Sequence, residues 1–382
     1  MSKSPRLNAL ARRALAHLHN GTTDQAPATM ALEVAAYGDP DRFRREFDAI
    51  FLHRPLALAL TVELPQPGMY VARTMLNKPL LFVRGQDGTV RAFLNVCRHR
   101  GARVCPEGSG KASRFVCPYH RWTYDRQGQL VGVNGVEKFG DAEKSALGLR
   151  ALPCAERAGV IWAALTPDAS FDIDDWLGDF RAELETLDLA DWHLFEQRTI
   201  PGPGWKVTMD GYLEAYHHDS VHANTLAKHT IGNLCVHVTF GPHQRLVMGR
   251  LNLAELNDIP EADWDAQAYI RLIHSIFPNF SISGIRGGHC LVSQILPGDD
   301  AKQTLTIQTI LSASKPDTPE KLAQSQAFSA LALEAVGVED YPVGFSIQAG
   351  LDSGANDAFL IGRNEPGIQH YHRTVAQMVG NR

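Results

Sequence analysis

The chain has 382 residues, 44% hydrophobic and 21% charged, with 37 basic against 42 acidic side chains and a formal net charge of −5. That length sets one large or two moderate domains as the prior, and the mild acidity gives no electrostatic basis for a nucleic-acid or anionic-membrane partner. No apolar run approaches the roughly 18–20 residues of a bilayer span, and Leu7–Leu18 is broken by Arg12, Arg13 and His17, unlike a signal-peptide core.

Residues 1–37 open with a helical stretch and pass into the polar run Asn20–Pro27; Asp39–Phe51 reads as a helix. From Gly68 to Ala163 short β-rich runs alternate with turn signals: Tyr70–Arg73, Leu80–Arg84, Val90–Val96, Arg114–Cys117 and Val160–Ala164, punctuated by Gln86-Asp87-Gly88 and Arg126-Gln127-Gly128. After Pro167, helical spacing appears at Ile173–Leu189 and strongly at Trp205–His218. Strand candidates follow at Val236–Phe240, Arg245–Leu251 and Thr304–Leu311, then helices at Pro319–Val336 and Gln369–Met378. Strands and helices in separate blocks predict an α+β protein. Three parts are expected: an N-terminal helical segment 1–45, an antiparallel β domain 46–165, and a mixed domain 166–382. The cysteines are Cys97, Cys105, Cys117, Cys154, Cys235 and Cys290. A cytoplasmic protein, with its non-ligand cysteines as free thiols, is expected.

The strongest chemical signal is Cys97-Arg98-His99, then seventeen residues, then Cys117-Pro118-Tyr119-His120. Two thiolates and two imidazoles at this spacing suit tetrahedral zinc or a Rieske [2Fe–2S] cluster with both cysteines on one iron and both histidines on the other. Each half here offers one ligand of each kind after a β-like run, whereas zinc fingers group Cys with Cys and His with His. No cysteine stands beside Cys117 or His120 to pair with Cys105, which favours an oxygenase-type or ferredoxin-type centre over a high-potential one.

The stretch Cys97–Gly101 with Cys117–Trp122 resembles the Rieske domain of ring-hydroxylating oxygenase α subunits. A second constellation separates an oxygenase from an electron carrier: Trp205 to His222. As a helix at about 100° per residue, Asp210, Glu214 and His217 share a face, with Met209, Leu213 and Tyr216 beside it. Dioxygen-activating iron commonly uses two histidines and a carboxylate. His217 and His222 supply the pair, and His218 competes through its i,i+4 spacing to His222.

The resemblance now covers most of the chain: an acidic residue, two residues, a histidine, four residues and a histidine fit Glu214, His217 and His222. It implies that Glu214, where the family usually has Asp, is no ligand but links cluster histidine His120 to His217, and that Asp210 is a polar residue behind the iron. It places the carboxylate ligand late, in Glu339-Asp340 ahead of Gln348 and Gly350; Asp340 is the choice, with Glu339, Asp352 and Asp357 as alternatives. Further implications are a helix-grip-like catalytic domain carrying segment 1–45, a [2Fe–2S] cluster and mononuclear Fe(II). The partners implied are O2, a small organic and modally aromatic substrate, and a homotrimer with or without β subunits. Dioxygenation, monooxygenation and demethylation of a methoxylated or quaternary-ammonium substrate share this machinery. No Gly-rich dinucleotide fingerprint follows a strand, so electrons must come from an NAD(P)H-dependent reductase, directly or through a ferredoxin. The substrate pocket is expected from residues 224–310, with Arg286 or His289 as candidate carboxylate anchors.

Overall fold

The computed structural model describes residues 5–141, 143–286 and 288–380; the side chains of residues 285–287, and so that of Arg286, lie outside the described set. Two compact units emerge, Phe47–Asp191 and a second made of Met1–Glu46 with Trp192–Arg382. The expected second boundary at 165/166 differs from this division. The short helices Ile173–Leu177 and Phe180–Glu185, split at Gly178, stay with the β unit, where Asp174 pairs with Arg157 Nε at 2.7 Å.

Among the described residues, the β unit contains three antiparallel sheets. The five-stranded one runs in the order Ala151–Leu152, Val90–Leu94, Lys78–Arg84, Met69–Met75, Gly108–Lys111. A three-stranded sheet joins Cys154–Arg157, Val160–Ala163 and Leu56–Leu60. The third joins the short strands Phe115–Val116, Thr123–Tyr124 and Leu130–Gly132. Leu81, Val83 and Phe93 form one core with Cys97, Cys117, Trp122 and Tyr124, so the loops that carry the cysteines are packed into the sheet core.

The other unit is built on a seven-stranded antiparallel sheet. Its order is His193–Pro203, Gln303–Ser312, His289–Pro297, Phe280–Arg286, Ile270–Ile276, His243–Arg250, Thr230–Phe240. This is a meander from residue 230 to 312, with His193–Pro203 added beside its last strand. The N-terminal helix Pro5–Asn20 sets Leu10, Ala11, Ala14 and Leu15 on one face and buries them against Leu234, Val236, Val247 and Leu253. Each buried leucine is worth about 1.5–3 kcal/mol relative to exposure. The expected α+β class, with antiparallel sheets in both parts, is borne out.

Two helical expectations change in a way that shapes the site. The helix from Trp205 stops at Tyr212 rather than at His218. Leu213 N–H bonds to Asp210 O at 3.0 Å, and the Glu214 carboxylate accepts the N–H groups of Tyr216 and His217. A side chain that satisfies the first donors of the next turn ends the preceding one. Gly367 is pressed against this break: a Cβ there would collide with the Leu213 carbonyl. The helix Pro319–Leu333 instead widens into a π-helical segment Glu334–Asp340 before resuming as Tyr341–Asp352.

Candidate metal centres

In the β unit, two turns of one design face each other. Gly101 N–H bonds to Cys97 O at 2.9 Å, and Arg121 N–H to Cys117 O at 2.9 Å. Each closing residue has positive φ, +78° at Gly101 and +61° at Arg121, a conformation that costs a side chain at the second position but not at the glycine. The turns bring His99 Nδ1 to 3.1 Å from His120 Nδ1. Both cysteines are buried, and the His99 ring stacks on Trp122 at 4.9 Å. Tyr124 Oη lies 3.4 Å from Cys97 Sγ and accepts the Arg98 N–H at 3.0 Å. Asn95, 1% exposed, clamps the first loop from behind: its Oδ1 accepts from Val104 and Cys105 N–H, and its Nδ2 donates to Cys105 O at 2.7 Å.

Two buried thiols and two imidazoles whose Nδ1 atoms face each other fit two irons with two ligands each.

The other unit assembles the second centre at the broken helix. His217 Nε2 and His222 Nε2 are 3.3 Å apart. Asp340 Oδ1 lies 3.0 Å from His222 Nε2 and 3.6 Å from His217 Nε2. Bonds of about 2.1 Å to one metal at right angles give neighbouring donors about 3 Å apart, so this donor set fits a two-histidine, one-carboxylate iron. Behind it, Glu214 accepts from His217 Nδ1, and Glu339 Oε2 from His222 Nδ1 at 2.7 Å. Thr225 Oγ1 also donates to Glu339. Such carboxylates fix the tautomer so that each Nε2 lone pair is free for a metal. For His217, burial disfavours the charged ring, but the Glu214 hydrogen bond and field outweigh it and raise its pKa.

His218, expected behind the ligands or at the surface, is 3% exposed and lies edge-on to both His217 and His222. Burial first, and then the nearby His217 and Arg271, push its pKa down to about 2. Asp210 is not on one helical face with Glu214 and His217, which lie beyond the helix end. Because the helix ends at Tyr212, its carboxylate turns to Tyr37 Oη and to His372 Nε2, the latter at 2.8 Å. Of the alternative ligands, Glu339 sits behind His222, and Asp352 pairs with Lys302 at 2.7 Å. Tyr37, Thr225 and His372 carried no signal in the sequence, since their partners lie far along the chain.

A cavity of about 360 Å³ opens beside His217, His222 and Asp340, within the range of ligand pockets. Its walls include Tyr212, Arg250, Arg271, Leu291, Phe328 and Val336. His289 is turned away; its Nε2 meets Ser325 Oγ at 2.9 Å.

With this geometry in place, comparison with known proteins is direct. The Rieske [2Fe-2S] domain family matches residues 55–151, and the ring hydroxylating alpha subunit catalytic domain matches residues 189–381. The chain belongs to the family of ring-hydroxylating oxygenase alpha subunits, whose two domains carry a Rieske cluster and a mononuclear iron. It is 33% identical over 221 residues to the glycine betaine monooxygenase oxygenase subunit of Chromohalobacter salexigens, covering 56% of this chain and 48% of that protein. It is 35% identical over 198 residues to the large oxygenase component of the 2,4-dinitrotoluene dioxygenase system of a Burkholderia strain, covering 50% and 44%. The chain thus spans about half the length of the curated relatives it matches. Its fold matches a quaternary ammonium Rieske monooxygenase solved with L-carnitine (TM-score 0.79, 24% identity, 93% and 97% covered). It also matches naphthalene 1,2-dioxygenase from Rhodococcus sp. (TM-score 0.77, 21% identity, 99% and 99% covered).

Proposed function

We propose that this chain is the terminal oxygenase of a multicomponent system that hydroxylates a small organic substrate beside His217, His222 and Asp340. The observation that carries the reading is the pairing of two disjoint ligand sets with a ligand-sized cavity at the second. Bound in these sites, the cluster would deliver electrons singly and the iron would offer open positions to dioxygen. The residues supply the rest. Glu214 and Glu339 hold the Nδ1 protons of His217 and His222, and the apolar wall of Leu291, Phe328 and Val336 keeps water from the reacting face.

Electrons come from an NAD(P)H-dependent reductase, directly or through a ferredoxin. The assembly is a homotrimer, with or without β subunits, in which Glu214 links His217 to His120 of the partner subunit. A heterologous interface of this kind closes as a ring. The protein works in the cytoplasm, in keeping with the unpaired Cys105, Cys154, Cys235 and Cys290; among the described residues no helix is long and apolar enough to cross a membrane. Relatives named for glycine betaine and carnitine monooxygenation support a second reading, monooxygenation of a quaternary-ammonium compound.

Substrate-dependent oxygen uptake with an added reductase tests the oxygenase. Electron transfer without uptake across aromatic and quaternary-ammonium compounds would instead make the protein a carrier. Co-expression of Cys97→Ser with His222→Ala tests the trimer. Activity should reappear at a fraction of wild type, and verified mixed trimers that stay inactive, with each chain folded and holding its other metal, would reject the cross-subunit route.

A further inference from the structure

The cavity contains a charge that neither ligand set uses. Arg271 lies on the strand Ile270–Ile276, opposite Met248, and its side chain lines the cavity. Arg250, its neighbour on the adjoining strand, is engaged, with Nε donating to Ile270 O at 3.1 Å. Arg271 differs: among the described residues it has neither a hydrogen-bond partner nor a carboxylate within ion-pair distance. The nearby acids are occupied, Glu214 by His217 and Glu339 by His222. Burial pushes the guanidinium down to about 10, with the Asp340 field opposing, so it remains cationic at neutral pH. It lines the same cavity as His217, His222 and Asp340.

Arg271 is half-buried in the cavity wall with no side-chain partner among the described residues, and a cation so placed is free to pair with an anion that enters. A guanidinium presents a planar fork that suits a carboxylate bidentately. The opposite wall is apolar, formed by Leu291, Phe328, Leu331, Ala332 and Val336. We propose that Arg271 is the substrate anchor and that the substrate is a compact organic carboxylate, its apolar body against Phe328 and Val336 and its reacting carbon toward His217, His222 and Asp340. The proposal rests on the oxygenase reading for what becomes of the substrate, but the anchor itself is an equilibrium property and is tested without turnover.

The test is calorimetric titration of the metal-loaded protein with benzoate, benzamide and phenyltrimethylammonium. Benzoate should bind more tightly than benzamide by roughly 10- to 100-fold, the worth of a hydrogen-bonded charge, and the cation should bind most weakly. Arg271→Gln should erase the preference for acid over amide, and Arg271→Lys should restore part of it, with the Rieske absorption unchanged in both as a check on folding. Equal binding of acid and amide, preference for the cation, no binding of benzoate, or an undiminished acid preference in Arg271→Gln would each overturn the proposal. Benzoate binding that depends on Arg271 in a protein that takes up no oxygen would leave the anchor standing and sink the oxygenase reading instead.

Discussion

The two candidate centres are built by opposite strategies. In the β unit all four donors fall between Cys97 and His120, on two turns closed by local backbone hydrogen bonds and buried in a sheet core. In the other unit two histidines on a broken helix meet a carboxylate from a distant π-helical segment; the His222–Glu339 bond alone spans 117 residues. A local site depends on turn geometry, which a short stretch of sequence encodes. A gathered site depends on the whole fold to bring its parts together, and it places a carboxylate behind each histidine to set the ring. The first should therefore respond to changes as a structural element, and the second as an adjustable one.

The sharpest test of that division is a reciprocal pair. His222→Ala should abolish oxygen uptake and remove the mononuclear iron while sparing the Rieske electron spin resonance signal; Cys97→Ser should bleach the visible spectrum and leave the other iron in place. Loss of both centres in either variant would end the comparison, because the ligand sets would then not be independent.

Next in size is Glu214→Gln. It is nearly isosteric but removes the charge that orients His217, and such partners are worth about 10–100-fold in metal affinity or activity. Both metals should remain while single-turnover rates fall by that factor; a wild-type rate would take Glu214 out of the working machinery. Glu339→Gln should weaken iron binding by roughly tenfold, at the lower end of the same range, since Thr225 and the amide can still hold His222. Iron retention during chelator dialysis measures it, and an unchanged retention would mean that the ring is fixed by packing alone.

The smallest effect belongs to the β unit and is one of stability. Asn95→Leu strands the Val104 and Cys105 N–H groups, at about 1–3 kcal/mol for a buried unsatisfied donor. Thermal unfolding followed at the cluster absorption should shift downward while the second centre keeps its iron. An equal loss at both would show that the units do not respond separately.

The same contrast explains what could be read in advance. The Cys-x-His and Cys-x-x-His pairs and the strands around them were legible because they are local. Glu339-Asp340 could be placed only by resemblance, since nothing nearby in the sequence marks its partner. The strand Ile270–Ile276 and its neighbours Phe280–Arg286 and His289–Pro297 carried no usable pattern: the last is buried at every position, polar residues included, so the in-and-out alternation that marks a half-exposed strand is absent. The helix through residues 205–218 was over-extended for a related reason. Its periodicity continues past Tyr212, and the interruption comes from the Glu214 side chain, which periodicity does not see. Arg271 sits on one of the unread strands, so its place in the cavity could not be anticipated.

The widened turn at Glu334–Asp340 carries a consequence of its own. A π-helical turn holds more residues than an α-helical one, is rare, and concentrates at functional positions. It also sets consecutive side chains at a smaller angle, which lets Glu339 and Asp340 address the two nitrogens of one imidazole, Nδ1 and Nε2 of His222. Deleting a residue from the turn should swing both carboxylates off His222 and collapse iron affinity, while Pro342 still bars a continuous α-helical ladder through residues 319–352.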